Sequence, residues 1–173
     1  MNSLIFDIKT ARKILACKLK LENKLGAKLE IRGRKVEISG EELEVYTAEK
    51  VLSAIERNFS LSDALLLADE NYILRDIPIK EFTKKKNLSL VRARIIGTQG
   101  KTLKLISELS ECRVVLNNNI VSIIGRAEKI KDVINAVKSL ISGSKQGNIY
   151  SYLERQRARH KFTDENLGLK IKK

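Results

Sequence analysis

The chain has 173 residues and a formal net charge of +13, with 34 Lys and Arg residues against 21 Asp and Glu residues. This length suits one large domain or two small ones, and a hydrophobic content of 43% supports a packed core, which excludes a wholly disordered chain. Two cysteines and one histidine exclude a Cys/His zinc cluster, and no apolar run is long enough for a membrane span. The first residues do not resemble a secretory signal. We therefore expect a cytoplasmic protein with reduced thiols, no metal and no cofactor.

An internal repeat organises the chain, because the sequence matches itself without a gap at an offset of 85 residues. Segments 29–31 and 36–40 fall on segments 114–116 and 121–125, and both pairs precede apolar residues at helical spacing. Each copy therefore predicts helix, strand, polar loop, strand, glycine and amphipathic helix. Two copies indicate two small α+β units rather than a solenoid, which needs more repeats.

The pattern divides the chain into four regions: a first unit over 1–58, a helical and extended linker over 59–87, a second unit over 88–142, and a basic helix with a tail over 143–173. The alternation of apolar and polar residues predicts an extended first strand over 88–96. Helices are predicted over 10–25 and 101–110. A basic helix is predicted over 149–161, after a turn-rich joint.

A Gly-x-x-Gly element, formed by residues 97–100, stands immediately before a predicted helix. Glycine permits a positive φ and a close approach of the backbone to a ligand, while a helix N-terminus presents free N–H groups and partial positive charge. This combination favours the binding of phosphate oxygens. A nucleotide P-loop needs four residues between its glycines, but only two separate Gly97 from Gly100, which argues against nucleotide hydrolysis.

In this context the second unit resembles a type I KH domain, the nucleic-acid-binding module whose Gly-x-x-Gly loop clamps about four backbone nucleotides. The tandem units, segments 59–67 and 69–74, the Arg94–Gly97 sequence and segment 150–155 are similar to the archaeal Dim-two (partner-of-Nob) family. The similarity covers about residues 10–158 and extends, more distantly, to eukaryotic KH proteins of small-subunit assembly.

The resemblance implies an α+β fold with two tandem type I KH domains (β-α-α-β-β-α), the first one degenerate, and a basic C-terminal helix. It also implies binding to the 3′ region of small-subunit ribosomal RNA. The partners it implies are the endonuclease that trims this RNA and the α subunit of initiation factor two.

Residues predicted to bind single-stranded RNA surround the glycine loop. They are Gly97, Thr98, Gln99, Gly100, Lys101, Arg92, Arg94, Ile96, Lys104, Arg113, Val115, Asn118 and Arg155. The loop and basic side chains would hold phosphates, apolar residues would support bases, and Asn118 would read a base edge. Arg92 and Arg94 are expected to share one face of the extended segment, and Lys101 and Lys104 one side of the following helix. Solvated surface remains the alternative for each basic residue, and a simple turn for residues 117–119.

The first unit lacks the glycine loop, because residues 97–100 fall at the repeat offset on Arg-Lys-Ile-Leu, residues 12–15. Its charge is also different: residues 1–80 carry a net +1 and residues 81–173 a net +12. We therefore expect the first unit to pack or to contact protein, and the second to grip RNA. With no nucleophile beside a base and no paired carboxylates, we expect no enzymatic activity. The alternative is a protein-interaction adaptor in which RNA binding is secondary.

The remaining chemistry-bearing residues are interpreted structurally. Cys17 and Cys112 are expected to be small buried groups, and His160 an exposed residue. Tyr150 and Tyr152 are expected to anchor the C-terminal helix by packing.

Overall fold

The computed structural model describes residues 2–166, and the chain divides into two units, Met1–Leu74 and Arg75–Lys173. Residues 167–173, the end of the predicted tail, lie outside the described residues. The first unit contains β1 (Asn2–Ile5), α1 (Ile8–Ala16), α2 (Lys18–Leu25), β2 (Lys28–Arg32), β3 (Lys35–Ser39), α3 (Glu42–Glu56) and α4 (Leu61–Ala64). Beginning in the last residues of the first unit, the chain continues through β4 (Tyr72–Pro78), α5 (Leu88–Ile96), α6 (Lys101–Ser110), β5 (Arg113–Asn117), β6 (Ile120–Arg126), α7 (Ala127–Ser142) and α8 (Gln146–Asn166).

The first unit forms a three-stranded antiparallel sheet in the order β1-β3-β2. Alternation buries Val36 and Ile38 of the central strand, and Ile38 pairs with Leu29 of β2. Local signals fix the helices: the Asp7 side chain accepts a hydrogen bond from the Thr10 N–H at 2.6 Å, which caps α1. A capping box stands at the start of α3.

The second sheet repeats this topology in the order β4-β6-β5. The central strand β6 is buried along most of its length, and Ile123 pairs with Val114 of β5. Both units therefore have the order β-α-α-β-β-α, which confirms the predicted fold class of two tandem type I KH units. The added helix α8 follows α7 after a short joint at Gly143 and includes the predicted basic helix.

The prediction of an extended strand over residues 88–96 is wrong, because these residues form α5. The Asn87 side chain accepts a hydrogen bond from the Ser89 N–H at 3.0 Å and caps the helix. Val91 and Ile95, four residues apart, are the two buried residues of α5, so the apolar spacing follows the helical period. The same residues also alternate with Arg92 and Arg94, which made the segment resemble a strand.

The predicted linker over 59–87 is corrected by the structure as well. Its extended part is strand β4, which lies in the second sheet beside β6 and ends at Pro78. A single turn of 3-10 helix, Ile79–Phe82, follows, and the Ile79 N–H donates to the Asn119 carbonyl at 2.8 Å. The second unit therefore includes a strand that the sequence pattern placed before it.

The repeat offset also fails at the loop of the first unit. Residues 12–15 lie inside α1, where Ile14 is fully buried, and the single residue Cys17 joins α1 to α2. The first unit thus has one residue where the second has the four residues 97–100. Cys112 is buried as expected, but Cys17 is only half-buried, which corrects that prediction.

Candidate nucleic-acid interface

The loop 97–100 joins the end of α5 to the start of α6 in a conformation that depends on its two glycines. Gly97 has φ 73° and ψ 176°, a backbone region that is essentially restricted to glycine. Gly100 has φ 75° and ψ 6°, in the left-handed region. Between them, Gln99 also has a positive φ of 53°. The loop is therefore a tight turn that presents its backbone at the mouth of α6.

The two glycines differ in their surroundings. A Cβ atom added at Gly97 would stand 2.1 Å from Oγ1 and 2.9 Å from the backbone nitrogen of Thr102. A Cβ at Gly100 would meet nothing within 4 Å. Gly97 is thus required by close packing against the first turn of α6, whereas Gly100 faces open space into which a ligand can enter.

Positive charge surrounds the open side of this turn. Thr98 and Gln99 are exposed at its tip, and α6 begins at Lys101 without a side-chain cap, so its N-terminus retains a partial positive charge. Lys101 and Lys104 are both exposed and lie three residues apart on α6, as the sequence predicted. Lys104 Nζ is 3.9 Å from Glu108 Oε1, a highly exposed pair that leaves this ammonium group accessible.

The sheet contributes a neighbouring strand edge. Strand β5 lies at the edge of its sheet and packs against α6. Val115 is half-buried on this strand, Arg113 is exposed, and Ile96 keeps 39% of its surface exposed at the entrance to the loop. Asn118 lies in the exposed β5–β6 turn with a φ of 52°, a conformation that asparagine tolerates.

The expectation that Arg92 and Arg94 share one face is wrong, because both lie on α5, where two residues span about 200° around the helix axis. Arg92 donates to the Asn119 side-chain oxygen at 2.9 Å, which ties its guanidinium group to the β5–β6 turn. The Arg94 guanidinium lies beside Gly143, where an added Cβ would be 3.2 Å from it. The structure therefore does not bring these two side chains together at the loop.

Helix α8 places its basic run partly on the protein. Arg157 Nε lies 3.5 Å from Glu111 Oε1, and Lys129 also donates to the Glu111 carboxylate. The hydrogen bond from Lys129, reinforced by Arg157, lowers the pKa of Glu111 below its usual value. Arg155 is exposed and donates to the Ser151 carbonyl at 3.2 Å. His160, predicted to be exposed, instead lies half-buried against Asp132, 2.8 Å from its carboxylate.

Sequence reasoning missed a polar cluster behind the loop. Thr102 is only 2% exposed, and its Oγ1 accepts hydrogen bonds from Gln146 Nε2 at 2.9 Å and from the Tyr150 hydroxyl at 3.1 Å. Gln146 Nε2 also lies 3.2 Å from the Arg94 carbonyl oxygen. No spacing rule links residues 44 and 48 positions apart, so the pattern carried no signal for this cluster.

The equivalent position of the first unit has a different surface. Cys17 replaces the glycine loop, and Leu15 and Leu19 on either side of it are 57% and 75% exposed. Residues 1–74 carry 12 basic and 12 acidic side chains, so this unit has no net charge. The other 22 basic and 9 acidic residues give the second unit all of the +13.

Two classes of site were searched for over residues 2–166. In that range no three His, Cys, Asp or Glu side chains are grouped so that they would hold a metal ion. No helix within the same described range combines the length and the apolar character needed to cross a membrane.

Comparison with known proteins places these observations in a family. A family model for the second KH domain of Pno1, described as a eukaryotic type KH-domain (KH-domain type I), matches residues 73–158. The chain is 32% identical over 151 residues to KH domain-containing protein MJ0443 of Methanocaldococcus jannaschii, a match that covers 83% of this chain and 66% of that protein. It is 35% identical over 119 residues to the pre-rRNA-processing protein pno1 of Aspergillus fumigatus, covering 65% of this chain and 46% of that protein.

The structural comparison agrees. One chain in the crystal structure of the a/eIF2alpha–aDim2p–rRNA complex from Pyrococcus horikoshii superposes with a TM-score of 0.79 and 27% identity, covering 91% of this chain and 94% of that chain. Together, the two β-α-α-β-β-α units and the glycine loop define a type I KH protein. The chain spans about two thirds of the archaeal relative and about half of the Pno1 protein. It belongs to the family of tandem KH proteins that includes Dim2p and Pno1.

Proposed function

We propose that the second unit binds single-stranded RNA, with loop 97–100 holding backbone phosphates and the groove between α6 and β5 holding bases. The observation that carries this proposal is the glycine turn at the uncapped N-terminus of α6. There Gly100 leaves open space, and Lys101 and Lys104 add positive charge. Phosphate oxygens are the ligands that such a turn favours. The +13 charge of this unit supports a polyanionic partner.

The division of roles within the site follows from chemistry. Contacts to phosphates fix the position of the strand, while contacts to base edges confer sequence selectivity. We assign the first role to residues 97–101 and Lys104, with Arg113 beside them. Ile96 and Val115 are suited to stack against bases, and the Asn118 amide is suited to hydrogen bonding with a base edge. The contacts that Arg92 and Arg94 make with the protein give both a structural role instead.

The identity of the RNA is inferred from the relatives. The Pyrococcus horikoshii complex contains rRNA and a/eIF2alpha, and the Aspergillus fumigatus relative is named as a pre-rRNA-processing protein. We infer that this chain binds the 3′ region of small-subunit ribosomal RNA and presents it to a separate maturation endonuclease. On this proposal the chain is a non-catalytic assembly factor, and the α subunit of initiation factor two is a further partner.

The experiment is a substitution of the two loop-tip residues, Thr98→Asp with Gln99→Asp. The added carboxylates repel phosphate at exposed positions, so folding should be intact while RNA affinity falls at least tenfold, or about 1.4 kcal/mol. Affinity is measured with a labelled RNA of about twelve nucleotides from the 3′ end of archaeal small-subunit rRNA, about three times the length that a KH loop holds.

A matched control adds the same charge elsewhere. Ser3→Asp with Asn23→Asp places two carboxylates on exposed residues of the first unit and should change the affinity by less than twofold. If the Thr98/Gln99 variant binds as tightly as the wild type, or the control loses as much affinity, then the loop is not the RNA clamp.

An adaptor function is the second candidate, favoured by the uncharged first unit and its exposed Leu15 and Leu19. Capture of partners from cell extract before and after nuclease treatment separates the two functions. An adaptor retains its protein partners after RNA is digested, whereas an RNA-binding factor loses those that it holds through RNA.

A further inference from the structure

The C-terminal helix α8 begins directly behind the glycine loop. It is additional to the β-α-α-β-β-α unit, and it packs against α6 and α7 through buried Ile149 and Leu153. The preceding joint is short and ordered, because Gly143 ends α7 with φ 115° and the Ser144 N–H donates to the Ser139 carbonyl at 3.0 Å. The first turns of α8 are therefore held at a fixed position relative to α6.

Two side chains of α8 use this position to bracket the loop. Gln146 Nε2 donates to the Arg94 carbonyl, in the last turn of α5, and to Thr102 Oγ1, in the first turn of α6. A carbonyl oxygen only accepts hydrogen bonds, so the amide nitrogen of Gln146 must face it. One side chain thus connects the residues on both sides of the loop, three positions before Gly97 and two after Gly100.

Tyr150 completes the bracket by donating to the same Thr102 hydroxyl. That hydroxyl lies directly beside Gly97, since a Cβ on this glycine would be 2.1 Å from it. The position of Thr102 therefore determines how closely α6 approaches the first residue of the loop. The network is almost fully shielded from water, which makes its hydrogen bonds stronger than exposed ones.

We propose that Gln146 and Tyr150 are positioning residues for RNA binding, which act through Thr102 to hold loop 97–100 in its phosphate-binding conformation before RNA arrives. The proposal rests on the proposed RNA-binding function, and it makes α8 part of the binding device without any contact to RNA. A loop that is already ordered avoids an entropic cost on binding, and a loop that is competent for only part of the time binds with an affinity reduced by that fraction.

The test removes the hydroxyl and amide groups while keeping their volume. Gln146→Met with Tyr150→Phe should weaken binding of the same twelve-nucleotide RNA about threefold to tenfold, since each lost hydrogen bond changes the loop equilibrium modestly. The number of phosphate contacts is unchanged, so the slope of log affinity against log salt should equal that of the wild type. Loss of a phosphate-binding residue would instead reduce the slope.

A second readout needs no RNA. Amide hydrogen exchange at residues 97–100 should become faster in the double variant, while exchange in β5 and β6 stays unchanged. The matched control is Tyr152→Phe, which removes one hydroxyl hydrogen bond from the same helix, to Asp132. It should leave both affinity and loop exchange as in the wild type.

The outcomes separate the two proposals. Wild-type affinity and loop exchange in the Gln146/Tyr150 variant would overturn the positioning role, as would equal losses in the Tyr152→Phe control. If the wild-type chain does not bind the RNA, the proposed function fails, while faster loop exchange in the double variant would still support the ordering of the loop by α8.

Discussion

Replacement of the two loop glycines by alanine provides a test of the geometry itself, because the same methyl group is added at two positions three residues apart. At Gly97, alanine must adopt φ 73° and ψ 176°, which costs about 1–3 kcal/mol for a residue with a Cβ atom. The new methyl group would also lie 2.1 Å from Thr102 Oγ1 and 2.9 Å from a backbone nitrogen. Overpacking of this kind costs about another 1–3 kcal/mol.

Gly100→Ala has only the first kind of penalty. The backbone at Gly100 is left-handed, which costs an alanine about 1–2 kcal/mol, and the methyl group would enter open space. We therefore expect Gly97→Ala to destabilise the second unit by about 4 kcal/mol and Gly100→Ala by about 1 kcal/mol. For a unit of about 100 residues each kcal/mol lowers Tm by about 4–8 °C, so the two variants should differ by well over 10 °C.

The assay is thermal unfolding of the full chain, followed by the exchange of backbone amides in β5 and β6, which reports on the second unit alone. RNA affinity measured well below both Tm values then separates stability from binding. Equal Tm values for the two variants would refute the reasoning, because the contact between Gly97 and Thr102 would then carry no energetic weight.

Three further predictions use the charge of the two units. If the loop and its lysines contact about four phosphates of a single strand, log affinity for the twelve-nucleotide RNA should fall against log salt with a slope of about −3; a flat response in a filter-binding titration would contradict a phosphate-based site. Charge reversal of Arg12 and Lys13, in the unit without a glycine loop, should change RNA affinity by less than twofold, and a large loss would show that the first unit binds RNA. The Lys129 and Arg157 contacts lower the pKa of Glu111 in the folded state, so its stabilising effect is present above the unfolded pKa of about 4.5 and is lost as the pH falls through the folded value. Glu111→Gln should therefore lower Tm at pH 7 and have little effect near pH 3, and an equal Tm difference at both pH values would exclude this ion pair as the cause.

The sequence predicted the second half of each unit well, because strands β2, β3, β5 and β6 alternate strictly and are joined by short polar turns. The following helices α3 and α7 have an unambiguous helical period. In these elements the burial of each side chain agrees with its local pattern, so no long-range information was needed.

The first half of each unit was harder, and the reason is visible in the spacing. The two copies are 85 residues apart at their last two strands, but only 80 apart at the ends of α1 and α6's partner helix α5, Ala16 and Ile96. The first strands, beginning at Asn2 and Tyr72, are 70 apart. A search without gaps therefore could not align β4 with β1, and the apolar alternation in α5 was available to supply a false first strand.

The candidate site divides in the same way. The loop 97–100 and the two lysines of α6 lie together in sequence, so their proximity was predicted from the motif and the helical period. The cluster of Thr102, Gln146 and Tyr150 was not predicted, because it depends on how α8 docks against α6. That docking is decided by buried Ile149 and Leu153, whose partners cannot be read from the local pattern.

The joint between α7 and α8 has a consequence for where this module can be divided. A fragment that ends at Ser142 would retain every element of a KH fold, yet it would expose the surface that Ile149 and Leu153 cover and would remove both hydrogen-bond donors to Thr102. The smallest autonomous piece of the second unit must therefore continue at least through Leu153. In this protein the boundary of the folding unit and the boundary of the recognisable KH fold are different places in the chain.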